Sequence, residues 1–200
     1  MNPIRYIKGI FKKSERPEED YRSKYTPDKE SVLVDELFAI KFTQNGGKFI
    51  YCESDAERQQ AFVSILKELG ISTKIGFSDI QLKDIFDEYE HLFTQSLDAA
   101  NVFMTDCEYL ISNEGSILLS SNQLKQMTIT QLPEIFIVCA STSQMVIDIS
   151  EAMRSINAKY KKRKPSGITA IKNFGVNQDD FRNYGSCPKK MYLILKEDIN

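Results

Sequence analysis

Helical and extended runs of apolar residues alternate along the chain from Ser31 onward. The first run follows a 3.6-residue period, and Gly46-Gly47 separates it from a short apolar strand. In the next run Ser54 and Glu57 have capping-box spacing, and Gly70 stands where a helix ends. The apolar positions of these three elements are Val32, Leu33, Leu37 and Ile40; Phe49, Ile50, Tyr51 and Cys52; and Ala61, Phe62, Ile65, Leu66 and Leu69. The pattern predicts helix, strand and helix in that order.

The remainder of the chain continues the alternation and adds a hairpin. Two apolar triplets, 109–111 and 117–119, flank a loop in which Gly115 can supply the positive φ of a turn. The run 135–140 shows no polar alternation, which is typical of a strand covered on both faces. The other predicted elements are extended runs at 71–77, 101–104 and 191–195, a helix at 80–89, and a helix marked by Val146, Ile149, Met153 and Ile156. The pattern predicts a three-layer α/β domain with a mainly parallel or mixed sheet.

The first thirty residues differ from the rest because they are dense in charge and contain Pro17 and Pro27. Ile4, Ile7 and Phe11 recur at helical spacing among basic residues, a pattern that suits a short amphipathic helix touching a membrane surface or a partner. The alternative is that this segment docks on its own domain or frays, as terminal segments do. We therefore predict an N-terminal extension over residues 1–30 and one α/β domain over residues 31–200.

The charge balance excludes several classes of protein. The net charge is −2, which gives no overall attraction to nucleic acid, so we expect an anion to bind only where cations cluster locally. No segment reaches about 18 consecutive apolar residues, and the N-terminus lacks the apolar core of a signal peptide. We expect a cytoplasmic protein with no transmembrane segment and no nucleic-acid partner.

The cysteines and the histidine exclude several kinds of metal and catalytic site. The 4 cysteines stand far apart with no C-x-x-C pair, so we expect no zinc site, no iron–sulfur cluster and no other cofactor in this chain. The 1 histidine, His91, follows an acidic stretch and is expected at the surface, which argues against a serine–histidine triad. For Cys187 we expect a packed thiol rather than a nucleophile.

Three polar segments remain as candidates for chemistry. They are 105–108 with the loop 113–116, the basic cluster 159–164 with the loop 165–170, and 183–190. Five of the six residues in the basic cluster are cationic, and a Ser/Gly/Thr loop follows it. These residues could bind phosphate or carboxylate oxygens, or the cations could simply suit a helix C-terminus. No Walker A or Rossmann glycine motif is present.

Taken in order, these segments resemble the LUD domain of lactate-utilisation proteins, the LutC-like group. The resemblance rests on Thr105-Asp106-Cys107-Glu108, on the hairpin around Asn113-Glu114-Gly115-Ser116 and on Leu132-Pro133 before an apolar strand. It continues in Pro165-Ser166-Gly167-Ile168-Thr169-Ala170 and Gly185-Ser186-Cys187-Pro188. The resemblance implies a fold like that of NagB, ribose-5-phosphate isomerase and CoA transferases. It also implies a cluster-free, non-catalytic or assembly subunit of a system that oxidises L-lactate to pyruvate with iron–sulfur partner proteins.

The sequence departs from the pattern at a position that matters for catalysis. Where CoA transferases of this fold carry a nucleophilic glutamate, this chain has Asn113, and Glu114 follows one residue later. A one-residue shift in a hairpin reverses the face of the side chain, so thioester chemistry at Glu114 is disfavoured. We expect a small anionic ligand instead. The candidate ligand-binding residues are Thr105, Asn113, Glu114, Gly115, Ser116, Lys164, Ser166, Thr169 and Gly185.

Two other functions remain open. One is an isomerase or transferase acting on a sugar phosphate or a CoA thioester, in which Asp106, Glu108 or Glu114 supplies acid–base catalysis. The other is a partner-binding module that acts through the N-terminal extension.

Overall fold

A computed structural model describes residues 34–70, 72–174 and 190–198. The α-helices in this part of the chain are α1 (Val34–Gln44), α2 (Asp55–Leu69), α3 (Ile80–Ile85) and α4 (Ile149–Lys159). The strands are β1 (Lys48–Cys52), β2 (Ile75–Phe77), β3 (Phe93–Thr94), β4 (Val102–Thr105), β5 (Tyr109–Ile111), β6 (Ser116–Ser120), β7 (Ile135–Ser141), β8 (Met145–Val146), β9 (Ile168–Ile171) and β10 (Lys190–Lys196). The predicted extension, Gly185 and Cys187 lie outside the described residues.

A parallel sheet forms the centre of the molecule. Its strand order is β1-β10-β7-β4-β2-β3, and every neighbouring pair is parallel. Residues of β7 alternate between two cores. Ile137 and Cys139 join a cluster with Phe62 of α2, whereas Phe136 and Val138 join a cluster with Phe38 of α1. The prediction of a strand covered on both faces is confirmed.

A smaller mixed sheet covers one face of the parallel sheet. Its order is β8-β5-β6-β9, with β5 and β9 antiparallel to β6 and with β8 parallel to β5. Leu110 and Ile117 of the hairpin face the core that contains Phe136, and Ile111 and Leu118 face α4. The α/β class with a mainly parallel sheet flanked by helices is confirmed, and the hairpin belongs to this second sheet.

Helix α1 buries a different face from the predicted one. The sequence pattern pointed to Leu37 and Ile40, but Phe38 and Phe42 are fully buried while Ile40 is exposed. The Phe38 and Phe42 rings stack with centroids 5.4 Å apart and fill the space between α1 and the sheets. Aromatic side chains remove more apolar area from water than the aliphatic ones, which explains why their stripe faces the core.

Several further boundaries differ from the prediction. Val146, expected in a helix, belongs to β8, and α4 begins at Ile149. The helix expected over 80–89 ends at Ile85, because Phe86 leaves helical geometry, and a 3-10 segment, Asp87–Leu92, follows it. The segment expected as a loop after Pro165 contains β9, which pairs with β6. This strand is short and half-exposed at the edge of its sheet, so it has no continuous apolar run.

Candidate functional site

An open cleft lies between the loop that follows β6 and the segment that follows α4. Its volume is about 520 Å³. We call it the basic cleft. Its lining residues are Ser121, Asn122, Gln126, Tyr160, Arg163, Lys164, Pro165 and Ser166. It lies at the end of β6 that continues into Ser121, and at the C-terminal end of α4.

The basic cleft brings two cations close to hydroxyl and amide groups. Arg163 and Lys164 are exposed and line the cleft together with Ser121 and Ser166. The Ser166 N–H donates to Ser121 Oγ at 3.0 Å, which fixes the loop after α4 against the loop after β6. A guanidinium, an ammonium and neighbouring hydroxyl groups are the donors that bind phosphate and carboxylate oxygens. The cleft can therefore hold an oxyanion.

A buried carboxylate supports the wall of the basic cleft. The side chain of Glu108 is 0% exposed and forms an ion pair with Lys159 at 2.9 Å. The hydroxyls of Tyr160 and Ser120 each donate to Glu108 Oε1 at 2.8 Å. Burial alone raises the pKa of Glu108, but the bonds from Lys159, Ser120 and Tyr160 outweigh it and hold that pKa below its ordinary value. Glu108 is therefore ionised at neutral pH, and it positions the Tyr160 ring in the cleft wall.

Hydrogen bonds continue from Glu108 toward the parallel sheet. The Ser120 N–H donates to Gln123 Oε1 at 2.9 Å, and Gln123 Nε2 donates to Asp106 Oδ2 at 3.5 Å. Asp106 directly follows β4, at the carboxyl edge of the sheet, where α/β folds place ligands. Burial raises the pKa of Asp106. Asp106 therefore retains its proton to a higher pH than a solvent-exposed aspartate does.

The predicted site residues fall in different parts of the molecule. Lys164 and Ser166 line the basic cleft, and Thr169 lines a groove beside it. Thr105 is buried at the end of β4 and donates its hydroxyl to the Asp106 carbonyl at 2.9 Å. The other described candidates, Asn113, Glu114, Gly115 and Ser116, lie at the opposite end of β6 from the cleft.

The hairpin loop packs against α1. Asn45 Nδ2 donates to the carbonyls of Glu114 at 2.8 Å and Gly115 at 3.2 Å. Gly115 has a φ of +61°, and a Cβ there would lie 2.3 Å from the Phe42 nitrogen. The Glu114 carboxylate pairs with Lys172 at 3.6 Å. The positive φ and the close approach of Phe42 explain why the loop needs glycine at position 115, and this explanation requires no ligand.

Six cleft residues are absent from the sequence-based set: Ser121, Asn122, Gln126, Tyr160, Arg163 and Pro165, the last of which begins the loop 165–170 named in the sequence analysis. Tyr160 and Arg163 belong to the basic cluster, which the sequence analysis identified as a whole. The signal for the remaining three is the polar run that begins at Ser120, directly after the apolar strand 117–119. A polar run at that position predicts a loop at a sheet edge, but its partner across the cleft comes from a distant part of the chain.

The described cysteines and His91 take no part in the basic cleft. Cys52, Cys107 and Cys139 are buried free thiols, and burial raises the pKa of all three, to about 12 for Cys52 and Cys139. His91 is exposed, as predicted. Within residues 34–70, 72–174 and 190–198, no group of three or more histidine, cysteine or acidic side chains could hold a metal ion. In the same part of the chain, no helix has the length and apolar character needed to cross a membrane.

Comparison with known proteins places this fold in a family. The family model of the LUD domain matches residues 36–195, which is most of the chain. The chain belongs to the LUD-domain family. The LUD domain is also similar to the crystal structure, at 1.70 Å resolution, of a DUF162 family protein from Deinococcus radiodurans, with a TM-score of 0.59. The identity is 17%, and the match covers 82% of this chain and 96% of that one, so the likeness concerns the fold. No curated protein matches this LUD domain.

Proposed function

We propose that this protein is a LutC-like lactate-utilisation protein that binds a small anion in its basic cleft. The observation that carries the proposal is that Arg163 and Lys164 line the same cleft as Ser121 and Ser166 on a LUD domain. The carboxylate of lactate or pyruvate is a suitable ligand for such a set of donors. Tyr160, held by the ionised Glu108, adds an aromatic wall beside the cations.

The proposed role is that of a cluster-free subunit in a system that oxidises L-lactate to pyruvate. The oxidation releases an electron pair and two protons, and iron–sulfur partner proteins would accept the electrons. The described thiols are consistent with iron–sulfur clusters being held by the partner proteins, because these thiols are buried and stay protonated at neutral pH. A thiol must be deprotonated to ligate iron.

Ligand binding can be tested with a thermal-shift and calorimetric titration of the full chain against L-lactate, pyruvate and inorganic phosphate. We expect at least one of these anions to raise the free energy of unfolding, by about 2.7 kcal/mol at a hundred times its dissociation constant. Replacing Arg163 and Lys164 together by alanine should abolish the effect. The matched control replaces Lys161 and Lys162, which belong to the same basic cluster but do not line the cleft. Equal loss in both pairs, or no stabilisation by any of the anions, would contradict the proposal.

The cellular role needs a separate experiment. Deleting the gene should prevent growth on L-lactate as the carbon source, and a tagged chain should co-purify with iron–sulfur proteins. Restoring the gene with the Arg163→Ala/Lys164→Ala pair should not rescue growth, whereas the Lys161→Ala/Lys162→Ala pair should. Unchanged growth after deletion, with no iron–sulfur protein recovered, would remove the lactate role.

A second candidate is an isomerase or transferase in which Asp106 acts as acid or base. The observation in its favour is the raised pKa of Asp106 at the carboxyl edge of β4. Of the other two acids, Glu108 is fixed by its ion pair and Glu114 lies at the far end of β6. This function predicts turnover of a sugar phosphate or a CoA thioester that Asp106→Asn eliminates. Turnover that survives this change would exclude Asp106 as the catalyst.

A further inference from the structure

The basic cleft continues into a second, uncharged groove. This groove has a volume of about 350 Å³ and shares Ser121, Gln126 and Ser166 with the basic cleft. We call it the apolar groove. Its other lining residues include three apolar side chains and three threonines: Leu124, Met127, Ile129, Thr128, Thr130 and Thr169. The shared residues make the two spaces parts of one continuous depression.

The two parts differ in chemistry. Arg163 and Lys164 line only the basic cleft, and the residues that line the apolar groove include no lysine or arginine. Met127 and Ile129 are half-buried, with one side packed on the core cluster that contains Phe136. Their remaining surface is available in the groove. An apolar surface beside a cationic one suits a ligand that carries an anionic head and an apolar body.

The loop between the two parts holds a strained backbone. Lys125 and Gln126 have φ values of +51° and +65°, in the left-handed region that side chains disfavour. Hydrogen bonds hold this geometry, from the Gln126 N–H to the Ser121 carbonyl at 3.1 Å and from the Met127 N–H to the Leu124 carbonyl at 2.9 Å. Strained residues that a surrounding framework fixes are concentrated at ligand sites. Here the strain places Gln126 at the junction, where it lines both parts.

We infer that the depression formed by the two parts accepts an extended oxyanion as well as a three-carbon acid. The phosphate or carboxylate head of the extended oxyanion binds at Arg163 and Lys164, and its apolar body lies along Met127 and Ile129. This inference rests on the proposed anion-binding function of the basic cleft. The combined space suits it, because pockets for extended ligands commonly measure about 300 to 1,000 Å³.

The test compares anions that share a head and differ in their tail, by calorimetric titration of the full chain. One pair is inorganic phosphate and hexyl phosphate; the other is acetate and hexanoate. In whichever pair the head is bound, we expect the tail to raise affinity about tenfold or more, because it buries several methylene groups. Met127→Gln should bring the tailed and untailed anions of that pair close to equal affinity. The matched control is Met153→Gln, since Met153 is another half-buried methionine but belongs to α4 and packs against the cluster that contains Ile111 and Leu118.

The outcomes separate this inference from the proposed function. Tighter binding of the tailed anion, lost in Met127→Gln and kept in Met153→Gln, supports the inference. Equal affinity of tailed and untailed anions overturns it and leaves the anion-binding function intact. A tail effect that survives Met127→Gln also overturns it, because the tail then lies elsewhere. Failure of both pairs to bind overturns the inference, and it overturns the proposed function as well only if L-lactate and pyruvate also fail to bind.

Discussion

Two carboxylates in this molecule have nearly the same partners in very different surroundings. Glu108 receives a lysine, Tyr160 and Ser120, whereas Glu68 of α2 receives two lysines, Lys48 and Lys190, and the hydroxyl of Tyr192. The Glu108 side chain is 0% exposed and the Glu68 side chain is 42% exposed. Glu68 joins the end of α2 to the start of β1 and β10, and Glu108 joins the small sheet to the wall of the basic cleft.

The difference shows that burial, more than the kind of partner, determines what such a cluster contributes. Water can replace a lost partner of Glu68, so each of its contacts contributes little to stability. Water cannot reach Glu108, so any partner that is removed leaves an unsatisfied group in the interior. We therefore expect the same substitutions to have larger effects around Glu108, and only those to alter the basic cleft.

The largest effect should follow removal of the buried carboxylate. Glu108→Ala should lower the free energy of unfolding by about 3 kcal/mol, because Lys159 and Tyr160 both lose their acceptor. Glu68→Ala should cost about 1 kcal/mol. Urea denaturation of both variants measures the two values. Similar costs would show that burial does not separate the two clusters.

Removing only the tyrosine hydroxyl that contacts each carboxylate compares the two clusters by a smaller change in structure. Tyr160→Phe should cost about 2 kcal/mol, since its hydroxyl donates to a buried ionised carboxylate, and should weaken anion binding. Tyr192→Phe should cost about 1 kcal/mol and leave anion binding unchanged, because Glu68 keeps two lysines and water. Thermal unfolding and calorimetric titration measure the two effects. Equal loss of anion affinity in both variants would contradict the role assigned to Tyr160.

The pH dependence of the free energy of unfolding should show the contribution of Glu68 and its partners. Burial opposes ionisation of Glu68, but the bonds from Lys48, Tyr192 and Lys190 lower its pKa from 4.5 to about 2. A lowered pKa in the folded state gives stability that is full above about pH 4.5 and is lost as the pH falls toward 2. Because Glu68 is partly exposed, this contribution should not exceed about 1 kcal/mol. Glu68→Ala should flatten the acid limb of the stability profile, and an unchanged limb would contradict this.

Salt should have the smallest effect and act on the two clusters unequally. The coupling between Lys48 and Glu68 should be about 0.5 kcal/mol and should fall in high salt, because exposed charges are screened. The coupling between Lys159 and Glu108 should change less, since the carboxylate is buried. Double-mutant cycles at low and high salt measure both couplings. Equal salt sensitivity would indicate that water reaches Glu108.

The elements with continuous apolar runs could be predicted from sequence, and those defined by tertiary contacts could not. The strand at 135–140 and the hairpin around Gly115 carry their signal locally, in an unbroken apolar run and in a turn glycine. The short edge strand β9 has no such run, and its pairing with β6 depends on residues about fifty positions away. The prediction of which face α1 buries was also wrong. The buried aromatic residues, Phe38 and Phe42, are close in sequence to the aliphatic residues Leu37 and Ile40, so the spacing alone did not distinguish the two faces.

The residues of the basic cleft also fall into those that could be predicted from sequence and those that could not. Lys164 and Ser166 belong to a charge cluster that is visible in the sequence. Ser121 and Gln126 line the same cleft only because β6 and β9 pair, which brings the two loops together. The hairpin residues Asn113, Glu114, Gly115 and Ser116 look like a site in sequence because loops that pack and loops that bind ligands both use small polar residues. Whether they also bind a ligand stays a prediction.

The most direct test of the central claim is a backbone-amide NMR titration of the full chain with pyruvate. If the basic cleft binds the anion, the amide signals of Ser121, Gln126 and Ser166 should shift together and saturate. Those of Asn113, Glu114 and Gly115, at the opposite end of β6, should stay in place. Shifts confined to the hairpin loop, or no saturable shift in the basic cleft, would contradict the account.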